Sequence, residues 1–198
     1  MKKILALFVL FALFFTACEK EEQISEQKPY AKGDEIVLKS VNDASITIVR
    51  DEKGFRLKGS DKIIMFDIFG TFCEPCQNEA AHLMDYQMKN SDNFMLIGLI
   101  TFENITNNDV IENFIKPFNA YYFIANEKEN ERLIAQILSD IEYKNALSLP
   151  FKVVLKDAKY QLLSDNLGER NGAKSPFYLG AVKSEMIASD IAQIKAEK

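Results

Sequence analysis

The stretch Ile63-Ile64-Met65-Phe66-Asp67-Ile68-Phe69-Gly70-Thr71-Phe72-Cys73-Glu74-Pro75-Cys76 joins an apolar run to a pair of cysteines. Residues 63–69 are apolar on both faces apart from Asp67, as in a central strand of a sheet covered on both sides. Pro75 suits the first turn of a helix, where its missing N–H costs nothing. Ala80, Leu83, Met84 and Met88 then follow at helical spacing until Asn90-Ser91-Asp92-Asn93 ends the segment. The stretch predicts a strand, a short turn and a helix that begins with Cys73 and Cys76. Two cysteines so spaced at a helix start can close a small disulfide, and the helix amides lower the pKa of the first thiol. Half of a zinc site has the same spacing.

The inventory of ligands bears on that choice. The 198-residue chain holds three cysteines, Cys18, Cys73 and Cys76, and one histidine, His82, so a four-ligand zinc site would need carboxylates to complete it. Thiol chemistry is the stronger reading, with no metal and no cofactor beyond the cysteine pair itself. His82, six residues past Cys76, reads as an exposed helix residue rather than a ligand or base. The many Phe and Tyr residues, among them Phe118, Tyr121, Tyr122 and Phe123, read as core.

Cys18 has its own explanation. Met1-Lys2-Lys3 is a basic head, and the apolar run Ile4–Ala17 is too short to span a bilayer, so residues 1–17 read as a secretory signal. Phe15-Thr16-Ala17-Cys18 resembles a bacterial lipobox, with Phe15 where leucine is usual; an uncleaved anchor or an ordinary cleaved signal are the alternatives. Loss of Lys2 and Lys3 from the 24 basic residues leaves 22 against 29 acidic, a charge of −7, which disfavours nucleic-acid binding. Export also takes the protein to compartments where disulfides persist. Residues 18–33, polar and poor in large apolar side chains, read as a lipidated tether, and 34–198 as one domain.

Within that domain, short strands are expected at Glu35–Val41, Ser45–Val49 and Gly54–Leu57, the core strand at Ile63–Phe69, and a second buried strand at Phe94–Ile100. A helix fits Asp109–Ile115 with Asn108 as its cap, a strand Tyr121–Ala125, and a helix Asn130–Ile141. Phe151–Leu155 and Tyr160–Leu163 read as a strand pair and Phe177–Val182 as a further extended piece. Ser184 is the expected cap of a last helix bearing Ile187, Ile191 and Ile194. The succession argues for an α/β sheet covered by helices.

With these elements in place, the chain resembles the thioredoxin fold. The run Phe69 to Cys76, followed by Glu79, is similar to the membrane-tethered TlpA/ResA-like branch, with Phe69 and Phe72 where tryptophans are usual. The resemblance covers Ile36 to the C-terminus. It implies a thioredoxin-like fold with a central mixed β-sheet covered by helices, an N-terminal strand extension, and an extra strand and helix inserted before a cis-proline. Leu149-Pro150 is the expected cis-proline site, because a strand pair and final helix follow it; Pro117 is the competing candidate, and only about 5–6% of X-Pro bonds are cis in general.

Site roles follow from the same resemblance. Cys73 is the expected nucleophile and Cys76 the resolving thiol, with Phe72, Leu149 and Pro150 at the substrate. Glu74, between the cysteines, opposes the helix-end field and should favour a reductant. Asp67, a carboxylate in an apolar strand and therefore costly without a partner, matches the buried acid that accepts the proton of the resolving thiol; a kinked strand with ordinary hydrogen bonds is the plainer alternative. Glu79 matches an acid that tunes the thiols, and it could equally be a solvated helix residue. The branch commonly has asparagine at the place of Asp67 and a proline at that of Ala81. The expected protein is a thiol:disulfide oxidoreductase on the periplasmic side of a bacterial membrane, lipid-anchored through Cys18 and monomeric. It would reduce protein disulfides, apocytochrome c among them, and be recharged by a membrane thiol reductant. An oxidase or isomerase of exported proteins, or a lipoprotein that only binds, are the other readings. The Cys-x-x-x-Cys spacing and distant histidine of copper-carrying Sco proteins are not found here.

Overall fold

The computed structural model describes residues 28–196. Alternating apolar residues build a three-stranded antiparallel sheet from β1 (Glu35–Lys39), β2 (Ser45–Asp51) and β3 (Gly54–Leu57). The main sheet starts with β4 (Ile63–Phe69), runs through helix α1 (Glu74–Lys89) to β5 (Phe94–Ile100), and continues to β6 (Phe123–Ala125). After α4 (Glu129–Asp140) come β7 (Phe151–Lys156), β8 (Lys159–Tyr160), β9 (Tyr178–Leu179) and α5 (Ser184–Ala196). The strand order is β6-β5-β4-β7-β8 with β9 also on β7, the first three strands mutually parallel and β7 antiparallel to β4. The sheet is mixed and helix-covered, with the expected strand extension before it and the expected strand and helix between β5 and β7.

Period-two alternation gives β4 two buried faces. Met65 and Phe69 join Leu83 and Tyr86 of α1 and Ile187 and Ile191 of α5 in one cluster, which also contains Cys73 and Cys76. Ile64, Phe66 and Ile68 join Leu133 and Ile137 of α4 and Phe55 of β3 in the other. Each such side chain contributes about 1.5–3 kcal/mol on burial. The small sheet is fastened to α4 by Arg50, whose guanidinium pairs with both oxygens of buried Asp140, an acid that also accepts from Gln136 and from the Tyr160 hydroxyl at 2.9 Å. The same sheet covers the exposed edge of β6 through a bridge from Ser40 to Ala125.

Several expectations shift in detail. The helix expected over Asp109–Ile115 begins as α2 (Asn107–Val110), and its cap is Thr106, whose Oγ1 accepts from the Asp109 N–H at 3.1 Å, in place of Asn108. It widens into a π-helical turn at Ile111–Ile115 and ends in α3 (Lys116–Phe118) at left-handed Asn119, so the next strand begins at Phe123, not Tyr121. The strand expected to reach Leu163 stops at Tyr160, and Leu163 bridges Ser175 instead. Ser184 is the first helical residue; the Lys183 carbonyl accepts from Met186 and Ile187. Residues 28–33, at the end of the stretch read as a tether, lie against the domain. Tyr30 is buried, packs edge-on to Phe55 and under the Arg132 guanidinium at 3.8 Å, and donates its hydroxyl to Glu129.

Candidate active site

Cys73 is the N-cap of α1. Its N–H donates to the Gly70 carbonyl at 3.1 Å, and its Sγ accepts from the Cys76 N–H at 3.4 Å, so the sulfur sits where the free amides of the helix start point. Cys73 and Cys76 are joined as a disulfide with Cα atoms 5.2 Å apart. Cys73, 8% exposed against 2% for Cys76, is the sulfur nearer the solvent. Glu74 is exposed as the first helical residue, and His82 is exposed further along. The helix continues unbroken through Ala81, where the resemblance suggests a kink.

The turn before Cys73 is clamped. The Thr71 N–H donates to Glu103 Oε1 at 2.5 Å and its hydroxyl to Oε2 at 2.6 Å, while Gln77 Nε2 returns to the Thr71 carbonyl at 2.7 Å. The loop after β5 is thereby tied to the cysteine turn. Each segment presents an exposed aromatic, Phe72 and Phe102, the latter at φ 63° in the left-handed region that bulky residues avoid. Behind Phe102 lies a groove of about 720 Å³ walled by Ile134 and Leu138 of α4 and by Leu147. The Leu149–Pro150 peptide is cis, and Leu149 packs against both core clusters. Pro117 instead lies in the first turn of α3.

Beneath the disulfide is a buried ionic cluster. Strand register sets Asp67 opposite Lys152 of β7 on one side and Gly98 of β5 on the other. Residues 65, 67 and 69 of β4 and 152 and 154 of β7 fall on the α1 side by alternation, the side of the cysteines. Lys152 is fully buried; its Nζ bonds Glu79 Oε1 and lies 3.3 Å from Asp67 Oδ1. Glu79 Oε2 accepts from the Val182 N–H at 3.1 Å. Asp67 Oδ1, by contrast, makes no well-directed hydrogen bond. Gly98 leaves the space: a Cβ there would meet Phe69 Cε1 at 2.9 Å and Tyr122 Cε2 at 3.1 Å.

Burial dominates the proton affinities. It raises Asp67 and lifts Glu79 from 4.5 to about 7, with Lys152 opposing both and Asp67 adding to the rise of Glu79. Lys152, whose desolvation alone would favour the neutral amine, is held charged with its pKa raised by the two acids. Buried Tyr122 is raised by desolvation and then by the same acids, so it stays a neutral phenol. Asp67 and Glu79 are thus brought together under the cysteines, joined by Lys152, which the sequence reading passed over. Its signal was a lysine inside Phe151-Lys152-Val153-Val154-Leu155, a run that otherwise reads as buried. Glu103 was also missed and carries no comparable signal. Cys18 lies outside the described residues. Among the described residues, no group of three or more His, Cys, Asp or Glu side chains converges to hold a metal ion.

The chain superposes on a thiol:disulfide interchange protein of the thioredoxin family from Chlorobium tepidum with a TM-score of 0.52 at 14% identity, covering 85% of this chain and 98% of that one. The fold is that of thioredoxin. StoA from Bacillus subtilis superposes with a TM-score of 0.53 at 15% identity over 82% of this chain and 99% of its own. A DsbF homologue from Corynebacterium diphtheriae gives 0.51 at 16% identity, over 82% and 86%. No protein-family model and no curated protein matches the sequence. In this chain the fold supplies a covered sheet that delivers the N-terminus of α1 just past the end of β4.

Proposed function

We propose that this protein is a thiol:disulfide oxidoreductase that reduces protein disulfides through Cys73 and Cys76. The observation that carries the reading is the Cys73–Cys76 disulfide, set at the start of α1 with its outer sulfur at the N-cap and buried acids below it. In the reduced protein the Cys73 thiolate attacks a substrate disulfide, and the first substrate thiolate leaves and is protonated by solvent. Cys76 then loses its proton to the buried acids, and its thiolate attacks Cys73 Sγ. That step releases the second substrate thiol and closes the Cys73–Cys76 disulfide, two electrons having passed to the substrate. An external dithiol must recharge the pair; a membrane thiol reductant is the proposed donor.

Exposed Phe72, with Leu149 and cis-Pro150, forms the proposed substrate surface. Glu74 at the first helical position places a negative charge against the helix-end field, which disfavours the thiolate and favours a reductant. The finer reading is of a monomer on the periplasmic side of a membrane, held by lipid on Cys18 through a tether that ends where residues 28–33 dock on the domain, with apocytochrome c as a candidate substrate. Support for the anchor is the sequence around Cys18; no described helix is long and apolar enough to cross a membrane.

Insulin reduction tests the core of the reading. Cys73→Ser and Cys76→Ser should each abolish turnover, and undiminished activity in both would sink it. The potential should lie near that of thioredoxin, about −270 mV, and a value near about −120 mV, as in DsbA, would make the protein an oxidase. Cys76→Ser should also trap the substrate as a mixed disulfide on Cys73.

A further inference from the structure

Lys152 is a cation with no access to solvent, and its ammonium meets two carboxylates. The groups facing this cluster are Asp67 from β4, Glu79 from α1, the Tyr122 phenol from the segment before β6, and the Val182 N–H from the segment before α5. The two-to-one ratio of acids to cation decides what the cluster can do. Two buried carboxyls without the lysine would both hold their protons and offer no base. One carboxylate paired with one buried lysine would make a neutral ion pair with little affinity for a proton. With two acids and one lysine, a single proton makes the cluster neutral and a second ionisation makes it −1, which brings the exchange of one proton toward neutral pH.

We propose that Lys152 is a positioning residue that holds Asp67 and Glu79 as a one-proton pair beneath the cysteines, so that the pair, once it has given up that proton, takes up the Cys76 thiol proton in its place. The inference rests on the dithiol reading above. The hydrogen bonds are unequal and hold Glu79 more firmly than Asp67. Glu79 is held at one oxygen by Lys152 and at the other by the Val182 N–H, whereas Asp67 Oδ1 has the ammonium at 3.3 Å without a directed bond. Ionised Asp67 beside it raises Glu79, so Glu79 carries the pair's one proton and, when that proton is lost, is the firmly held carboxylate that takes up another. Glu79 follows Cys76 by three residues, on the same buried face of α1. In the mixed disulfide, the Cys76 S–H bond breaks toward the Glu79 carboxylate. The Cys76 electron pair forms the bond to Cys73 Sγ, and the substrate sulfur leaves with the pair of the broken S–S bond and takes a proton from water.

The test is the reaction of the reduced full-length protein with 5,5′-dithiobis(2-nitrobenzoate), in which attack by Cys73 releases the first nitrothiobenzoate and resolution by Cys76 the second. Wild type should show a second phase whose rate inflects near pH 7. Lys152→Met should slow that phase by about 10²–10⁴-fold, the usual contribution of a positioned base, and move its inflection upward, with the first phase changed only a few-fold. Lys152→Arg should restore part of the rate. A second phase in Lys152→Met with the rate and pH profile of wild type overturns the proposal. Should that variant fail to fold, Glu79→Gln leaves Lys152 paired with Asp67 alone, and its second phase should lose the inflection near pH 7; an unchanged profile there overturns the proposal equally. A wild-type protein with no first phase overturns the dithiol reading, and the inference falls with it.

Discussion

Phe66 and Asp67 are neighbours on β4, yet they live in different media. Phe66 points to the side where Ile64 and Ile68 meet α4 and the small N-terminal sheet, and its ring packs edge-on to Phe55 at 6.3 Å. Asp67 points to the cysteine side, where a fully buried lysine and a second acid await it. The first face is an apolar core whose stability comes from area removed from water. The second spends stability, since desolvating three charged groups costs several kcal/mol per ion before their attraction is counted. Shifted proton affinities of this kind cluster where chemistry is done.

The apolar face is the one where a single substitution costs most. Phe66→Ala should lower the unfolding free energy by about 3–5 kcal/mol, measured by urea denaturation, while leaving the pH profile of the thiol reaction in place. A change in that profile would mean that the two faces are coupled. On the cysteine side the effect should depend on pH. The folded Glu79 carboxyl, lifted from 4.5 to about 7, binds its proton more tightly than the unfolded one does. Its stabilising contribution is complete below about 4.5 and is lost as pH rises through about 7, roughly 3 kcal/mol in all. Wild type should therefore lose stability relative to Glu79→Gln across that window, and parallel curves for the two would deny the shift. The smallest effect is steric. Gly98→Ala would push a methyl against Phe69 and Tyr122 and should cost about 1–3 kcal/mol, with a change in the near-ultraviolet tyrosine signal as the Tyr122 ring gives way.

Much of the site could be read along the chain because its signals are local. The apolar run before Gly70, the proline after Glu74 and the cysteine spacing all act within a few residues, and the strand Ile63–Phe69 has the bounds expected of it. Asp67 announced itself as a charge in an apolar strand. Lys152 carries the same local signal, but their pairing carries none, because Lys152 is 85 positions away and meets Asp67 only through the antiparallel register of β7 on β4. The docking of Tyr30 was hidden for the same reason: it is set by Phe55, Glu129 and Arg132, all from distant segments.

By itself the sequence determined where a helix would begin and that two thiols would stand at its start, since caps, prolines and apolar periodicity are properties of neighbours. Only the tertiary structure decided that Asp67 and Glu79 share one lysine. Charge stoichiometry in a buried cluster depends on which strands lie side by side and which way their residues face. A one-residue slip of β7 would turn Lys152 to the opposite face and leave both acids without their cation.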